Sequence, residues 1–489
     1  MELYNGLEKT YFLLSKNIYL LVYYLDAKHD GVADDMKNNQ KAKLTLFALT
    51  WPIFIEISLH MLMGNADTLM LSQYSDQSVA AVGVANQILA LIIVMFGFVA
   101  IGSSVLVAQS LGANREDEAG AVSVVSLAAN LVFGLLLSVI LVIFSKPLLQ
   151  LMDLPVELLD EADAYLRIVG GFLFIQALIM TAGAIIRSYG FTRDAMFVTL
   201  GMNILNIIGN YVFIYGPFGL PVLGVEGVAI STAVSRFIGF VVVLFLLVKR
   251  VPEGLPFKKI FSLPSRHMKN LLAIGLPSAG EHLSYNGSQM VITYFITIMG
   301  TNALTTKVYA QNLMMFIYLF AVAIAQGTEI LIGRMIGGKK YEEAYHRCLR
   351  SLRLAMILST LFALIFSLFS KPLLSIFTSN QSIIATGSIL ILLTIILEPG
   401  RSLNLVIINS LRAAGDVKFP VYVGILSMWG VSVTLAYLLG IKLGLGLIGI
   451  WIAFAADEWL RGLLMLWRWK SKVWMKKSFI VPAEAKINE

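Results

Sequence analysis

The sequence predicts an all-α polytopic membrane protein of twelve transmembrane helices, arranged as two pseudo-symmetric six-helix bundles. Three observations carry that reading. Of the 489 residues, 58% are hydrophobic and only 14% charged, whereas soluble domains run nearer half apolar and a quarter charged. Apolar runs near the length of a spanning helix recur along the whole chain. The chain also repeats itself at a shift of about 225 residues.

Residues 1–43 precede the first span. Within them Tyr11 to Leu25 is aromatic and apolar but interrupted by Lys16 and Asn17. It is short for a span and lacks the small-residue cleavage site of a secretory signal, so it reads as an interfacial helix on the inner leaflet. A solvated linker follows. Twelve spans then run at about 45–71, 79–110, 119–143, 165–186, 195–216, 225–248, 270–299, 304–333, 350–369, 385–411, 420–440 and 446–467. They divide the chain into a first lobe at 44–250, a connector at 251–269, a second lobe at 270–468 and a basic tail at 469–489. The connector is basic and carries Pro252, Pro256 and Pro264.

The formal charge of +7 would suit a polyanionic partner, but its placement argues otherwise. With the N-terminus inside, the inner segments hold 26 lysines and arginines, Arg187 and Arg412 among them. The outer loops offer only Lys146, Lys307, Lys371 and Lys442, and an acidic outer loop holds Asp153, Glu157, Asp160, Glu161 and Asp163. This is the positive-inside asymmetry. It implies no nucleic acid and places both termini in the cytosol of a multi-pass inner or plasma-membrane protein in contact with lipid. The single cysteine, Cys348, excludes an internal disulfide and a cysteine-rich metal site. No HExxH zinc helix, phosphate-binding loop or GxSxG elbow occurs, so the chain reads as a non-enzyme without metal or cofactor. Any pumping then depends on an ion gradient.

The repeat is specific. A shift of 225 lays Pro52 on Pro277, Glu56 on Glu281, and SKPLL at Ser145–Leu149 on SKPLL at Ser370–Leu374. It also lays Arg187 and Gly190 on Arg412 and Gly415, and the turn Ala108–Ala113 on Gly333–Gly338. Toward the end the shift falls to 222 and matches Gly224–Ser231 with Gly446–Ala453. Six spans per copy is an even number, so both copies share one orientation about an axis along the bilayer normal. Parallel repeats of this kind suit transporters with a site between the halves.

The candidate functional residues are the polar ones inside spans, where each acid at a helix centre costs about 2.5–3.5 kcal/mol. The first span carries Glu56, His60 and Asp67 at steps of four and seven residues, which puts all three on one stripe. The two carboxylates stand roughly 16 Å apart along it. Asn203, Asn206 and Asn210 on span five include a four-residue pair able to hydrogen-bond an opposing carboxylate. In the second lobe, Glu281 repeats Glu56, and Tyr285 and Ser288 continue its face. Span eight carries Glu329, and Glu398 and Arg401 on span ten are spaced to pair, as are Asp457 and Arg461 on span twelve. The coupling candidates are Asp67, Glu56, Asn206, Asn210, Glu281 and Glu398. His60, Tyr285, Ser288, Gln87, Gln311 and Arg401 are candidates for a substrate cavity.

With these residues in place, the chain resembles the bacterial-type multidrug and toxic compound extrusion (MATE) transporters. The resemblance is carried by NADT at Asn65–Thr68, VAAVGVANQI at Val79–Ile88, GLPSAGE at Gly275–Glu281, the run Asn206–Gly216 and the turn Leu411–Asp416. It implies two six-helix bundles around a V-shaped cleft. It also implies export of amphipathic, cationic compounds, drugs or metabolites, against inward H⁺ or Na⁺. Asp67 stands at the family's span-one acid, and Asn206 and Asn210 at its span-five partners. Tyr285 and Arg401 stand where the sodium-using branch carries acids, which favours proton coupling through Asp67. A monomeric antiporter of small organic solutes is the expected function. A flippase of lipid-linked saccharides is the alternative, disfavoured by the few intramembrane arginines (Arg167, Arg236, Arg401 and Arg461). A membrane-embedded enzyme or receptor finds no supporting motif.

Overall fold

The computed structural model describes residues 44–152, 154–251, 254–258 and 265–479. The interfacial helix expected at Tyr11–Leu25 lies outside the described residues. Helix α1 spans Leu46–Ser72, α2 Asp76–Gly112, α3 Glu116–Leu151, α4 Val156–Gly171, α5 Leu173–Ser188, α6 Thr192–Tyr215 and α7 Gly224–Arg250. The second half holds α8 Ser265–Ile298, α9 Thr301–Gly337, α10 Tyr341–Leu368, the short α11 Ser370–Ser375, α12 Gln381–Ala413, α13 Lys418–Ser427 and α14 Gly446–Lys470.

Among the described residues, nine helical segments are long and apolar enough to cross a bilayer, and α4 with α5, bent by 43° at Phe172, makes a tenth. Helices α8 and α14, of 34 and 25 residues, are long enough as well. Their apolar runs are interrupted by Glu281 on one and by Asp457, Glu458 and Arg461 on the other. These passages are consistent with the twelve that the sequence predicts.

Local chemistry sets the helix ends. The Thr45 hydroxyl caps α1 by accepting from the Ala48 N–H at 3.2 Å, and Ser75 caps α2 through Ser78 N–H. Glu116, Asp117 and Glu118 fill the first turn of α3, where carboxylates meet the positive end of the helix dipole. The turns after α5 and α12 close on Gly190 and Gly415, both left-handed at φ 95° and 92°, a conformation only glycine adopts without strain.

Four expectations need correction. Four acids expected in an outer loop, Glu157, Asp160, Glu161 and Asp163, lie in α4, where Glu157 in the first turn stabilises the N-terminus; Asp153 lies outside the described residues. Asp163 is held in its second turn by Ser145 and by Arg167 at 3.1 Å. The outer lysines are not loop residues either, because Lys146, Lys371 and Lys307 lie within α3, α11 and α9. Lys307 is buried and donates to Thr293 Oγ1. Arg187 and Arg412 sit in the last turns of α5 and α12 rather than in loops. Finally, span eleven continues from α13 as two π-helical stretches, Met428–Val433 and Ala436–Lys442. The widened turn presents Trp429 to α8, where its Nε1 donates to Ser284 Oγ at 2.9 Å.

Each half has its own apolar interior. In the first, Val105, Ile179, Met202 and Val243 pack at one level and Phe96, Leu141, Leu166 and Val228 at another. In the second, Ile292, Leu390, Trp451 and Phe454 pack together. Phe197, Phe245, Leu276, Met290, Leu368 and Leu426 are each more than half exposed, which suits a surface that meets hydrocarbon.

The halves cross where α2 and α9 end. A Cβ on Gly112 would stand 1.9 Å from the Arg334 carbonyl, and one on Gly337 would stand 1.9 Å from that of Gln109. The same 225-residue shift relates Gly112 to Gly337 and Gln109 to Arg334, so the contact is reciprocal. Hydrogen bonds repeat the reciprocity. Gln109 Nε2 donates to the Ala413 carbonyl at 2.7 Å, and Arg334 Nη2 donates to the Ser188 carbonyl at 2.8 Å. Leu46, Leu49 and Ile53 of α1 pack among Ile330, Ile332 and Leu411 of the other half. Leu271 and Ile274 of α8 pack in turn against Val105 and Leu106. The lobes therefore close at the end that carries the basic turns around Arg115, Lys339 and Lys340.

Gly112→Ala and Gly337→Ala should each cost about 1–3 kcal/mol, the usual penalty of overpacking, because the added carbon meets backbone. Gly64→Ala, with nothing within 4 Å of the added carbon, should be close to neutral. Thermal unfolding of the detergent-solubilised protein checks this: equal midpoints for all three variants would contradict the crossing.

Candidate functional site

Asp67 lies toward the far end of α1 from that crossing and is buried. Asn210 of α6 donates to its Oδ1 through Nδ2 at 2.6 Å, which is the partnership the four-residue asparagine spacing predicts. Asn206 stands within hydrogen-bonding reach of the same carboxylate. Its Nδ2 donates to Thr232 Oγ1 at 3.2 Å, and its backbone carbonyl accepts from Ser231 of α7. Asn203 donates to the Leu59 carbonyl at 2.7 Å. The Oδ1 atoms of Asn203, Asn206 and Asn210 meet no protein donor among the described residues, so three acceptors remain beside one acid. Arg236 of α7 and Tyr165 of α4 complete the surroundings; the Tyr165 hydroxyl donates to Asn86 Oδ1 at 3.3 Å.

Glu56 does not join this group. Its Oε1 accepts from Arg187 Nη1 at 2.6 Å. In the other lobe Arg412 Nη2 donates to Glu281 Oε2, also at 2.6 Å. The two pairs are copies: each joins the first helix of a lobe to the last turn of a later one, 131 residues on. The alignment of Glu56 with Glu281 and of Arg187 with Arg412 was the signal for this pairing in the sequence. His60 is exposed one turn beyond Glu56.

The second lobe holds a larger charged group. Arg401 Nη1 donates to Glu398 at 2.8 Å, and its Nε lies 3.5 Å from Glu458. Arg461 pairs with Asp457 at 2.8 Å and with Glu458 at 3.2 Å. Asn404 Nδ2 donates to Glu458 at 2.8 Å, and Ser427 Oγ to Asp457 at 2.5 Å. Glu458 thus joins two pairs, expected to be separate, into one network of three acids and two arginines. The Arg401 guanidinium lies 5.5 Å from the Tyr318 ring centre, a neighbour that sequence spacing does not reveal. Tyr285 is 42% exposed although Arg401, Glu458 and Arg461 act on it electrostatically. Its ring thus stands at the surface of α8 beside the charged network. Gln87 and Gln311 are exposed on α2 and α9. Ser288 is buried, and its hydroxyl donates to the Tyr285 carbonyl of its own helix at 2.8 Å.

Between the lobes stands Glu329 of α9, 7% exposed. Ser104 of α2 is within hydrogen-bonding reach, and both Arg412 and Arg187 attract it. Among the described residues no group of three or more His, Cys, Asp or Glu is arranged to hold a metal ion. The arrangement offers buried acids that can exchange protons with amide, hydroxyl and guanidinium neighbours.

The MatE family model matches residues 52–212 and 277–438, the two lobes in turn. The chain is 57% identical over 442 residues to the uncharacterized transporter YisQ of Bacillus subtilis, covering 90% of this chain and 97% of that one. It is 28% identical over 451 residues to the probable multidrug resistance protein NorM of Thermotoga maritima, covering 90% and 95%. Among solved structures, a MATE transporter in its bent conformation superposes with a TM-score of 0.81 at 23% identity, over 89% of this chain and 96% of that one. A Pyrococcus furiosus transporter of the MOP superfamily, reported with a binding pocket of reversed polarity, gives 0.80 at 22% identity, over 88% and 96%. The fold, the paired lobes and these likenesses agree that the chain is a multi-pass membrane transporter, not an enzyme, and that it belongs to the multidrug and toxic compound extrusion family.

Proposed function

We propose that this transporter is a monomeric antiporter that exports amphipathic, cationic organic compounds in exchange for protons, with Asp67 as the coupling acid. The observation that carries this reading is the Asp67–Asn210 contact beside three unmatched carboxamide oxygens. A charged Asp67 accepts from Asn210. A protonated Asp67 carries an O–H that the Oδ1 of Asn206 or Asn210 can accept, so proton binding changes how α1 and α6 are joined. An ion drives transport only through its differential affinity for two states, and such a change of partners supplies one.

The Arg236 side chain acts on the same carboxylate. It opposes either cation, but a proton becomes part of a neutral carboxyl group, whereas a sodium ion stays a separate positive charge beside the guanidinium. In the second lobe Arg401 and Arg461 offset two of the three acidic charges that would otherwise cage a metal cation. This supports H⁺ over Na⁺ as the coupling ion. The basic end, where the lobes meet, is assigned to the cytosol by the positive-inside rule. A cleft between the lobes, as the family resemblance implies, then faces the outer side, while lipid surrounds both bundles.

In proteoliposomes, Asp67→Asn should reduce substrate-driven proton movement at least about tenfold, a loss of 1.4 kcal/mol or more in coupling. Unchanged proton flux in that variant would defeat the assignment. An imposed Na⁺ gradient with pH clamped should drive little efflux from wild-type vesicles, and efflux equal to that under a proton gradient would move the coupling to sodium.

Arg401→Met should destabilise the protein by about 3–5 kcal/mol, because buried Glu398 loses its compensating charge and Glu458 keeps only Arg461. Adding Glu398→Gln should return a large part of that loss. A double-mutant cycle on the denaturation midpoint measures it, and purely additive effects would mean that the pair is not coupled.

A further inference from the structure

Helix α14 ends at Lys470, and the chain then turns back on itself. Lys472 takes the left-handed conformation at φ 58°, and a single 3-10 turn, Val473–Lys476, follows. This turn is fastened to the second lobe. The Trp474 ring stacks on that of Trp469 with centres 4.1 Å apart, and both are wholly buried. Its Nε1 donates to the Trp469 carbonyl at 2.8 Å. Lys472 Nζ reaches Glu342 of α10 at 2.6 Å. The Lys477 carbonyl then lies against Gly415, where a Cβ would stand 2.1 Å from it.

The next two residues cross to the first lobe. The Phe479 N–H donates to Gln109 Oε1 of α2 at 3.2 Å, and Ser478 Oγ donates to the same oxygen at 3.3 Å. Arg266, in the first turn of α8, donates from Nη2 to the Phe479 carbonyl at 3.2 Å. The Phe479 ring packs against an apolar cluster that draws Leu106 and Val122 from the first lobe and Leu271 and Val417 from the second. Gln109 is thus engaged in two directions: its Nε2 makes the direct crossing to Ala413, and its Oε1 takes the tail. Its counterpart in the repeat is Arg334, a side chain with donors only, which bonds the Ser188 carbonyl. Both direct crossings need a donor. The acceptor that Gln109 adds serves the tail alone.

We propose that residues 471–479 form a latch: anchored on the second lobe, they dock on Gln109 of the first and hold the basic end closed, so that undocking the tail sets how often that end opens. This goes beyond the antiport reading and depends on neither the coupling ion nor the substrate. Lobes that part at the basic end must break the direct crossings and the docked tail together. The tail adds two hydrogen bonds and an aromatic contact that exist only in the closed arrangement, which lowers the open population. Ser478 and Phe479 are only half-buried, and such a segment detaches at far lower cost than packed helices do. Opening is thereby adjusted at the surface, without any change at the polar sites inside the membrane.

The test uses two thiols in one molecule. Ser188→Cys reports the seam, since Ser188 is wholly buried and the Arg334 side chain of the other lobe covers its carbonyl. Native Cys348, equally buried within the second lobe, reports loosening of the fold as a whole. Both are alkylated with N-ethylmaleimide in nanodiscs and followed by mass spectrometry of their peptides. Ending the chain after Lys477 should raise the rate at Ser188→Cys about tenfold, the effect of losing one or two such hydrogen bonds, and leave the rate at Cys348 unchanged. Phe479→Ala combined with Arg266→Met, in the full-length chain, should act in the same direction. Equal rates at Ser188→Cys with and without Ser478 and Phe479 would overturn the proposal. An equal rise at both thiols would overturn it too, because the fold and not a latch would have loosened. So would a similar rise in Lys476→Ala, an exposed residue of the same turn, because the tail's charge and not its docking would then control the seam.

Discussion

A charge inside a bilayer must be compensated by another charge, by hydrogen bonds or by water. That constraint organises this protein more than any apolar contact does. Glu56 and Arg187 meet at 2.6 Å, and so do Glu281 and Arg412. Each pair ties the first helix of its lobe to the end of another helix, and so fixes the inner half of each bundle. The network around Arg401, Glu458 and Arg461 does the same for α12 and α14. Removing one member of such a pair leaves a buried charge alone, which is costly. Replacing both can be nearly neutral. The pairs therefore specify the arrangement of the helices more than they stabilise it.

One acid stands apart from this rule. Asp67 is held by amides. An acid locked in a short ion pair resists protonation, because the proton must displace a cation. An acid held by amides can gain or lose a proton while its neighbours only exchange donor and acceptor roles. The chemistry of proton exchange therefore points to this position rather than to Glu56 or Glu281, although all three look alike as carboxylates in apolar runs.

The helices and the duplication were legible in the sequence because hydropathy and repeat spacing are properties of the chain itself. The Asp67–Asn210 contact was legible too, since both residues sit on polar stripes of predicted helical period. The bend at Phe172 and the π-helical turns after Ser427 were not, because no residue pattern distinguishes a widened turn from a regular one. The arginines at 187 and 412 looked like loop charges because they fall at helix ends, where long side chains can reach back toward the core. Only the fold shows which way they turn. Acids at Glu157 and Asp163 suggested a loop, yet an acid at a helix start is favoured by the dipole it meets.

The duplication also separates scaffold from function. The reciprocal elements are mechanical: Gly112 with Gly337, Gln109 with Arg334, Ser188 with Ala413, and the two Glu–Arg pairs. Symmetry is useful there, because two equal lobes can rock about a common axis with the same contacts made and broken on each side. The polar sites have no such copies. Asp67 is matched by Ile292 and Glu398 by Leu173, both buried and apolar. Glu329 is matched by Ser104. A coupling acid of the kind proposed for Asp67 gains nothing from being doubled, since one bound ion biases one equilibrium in one direction.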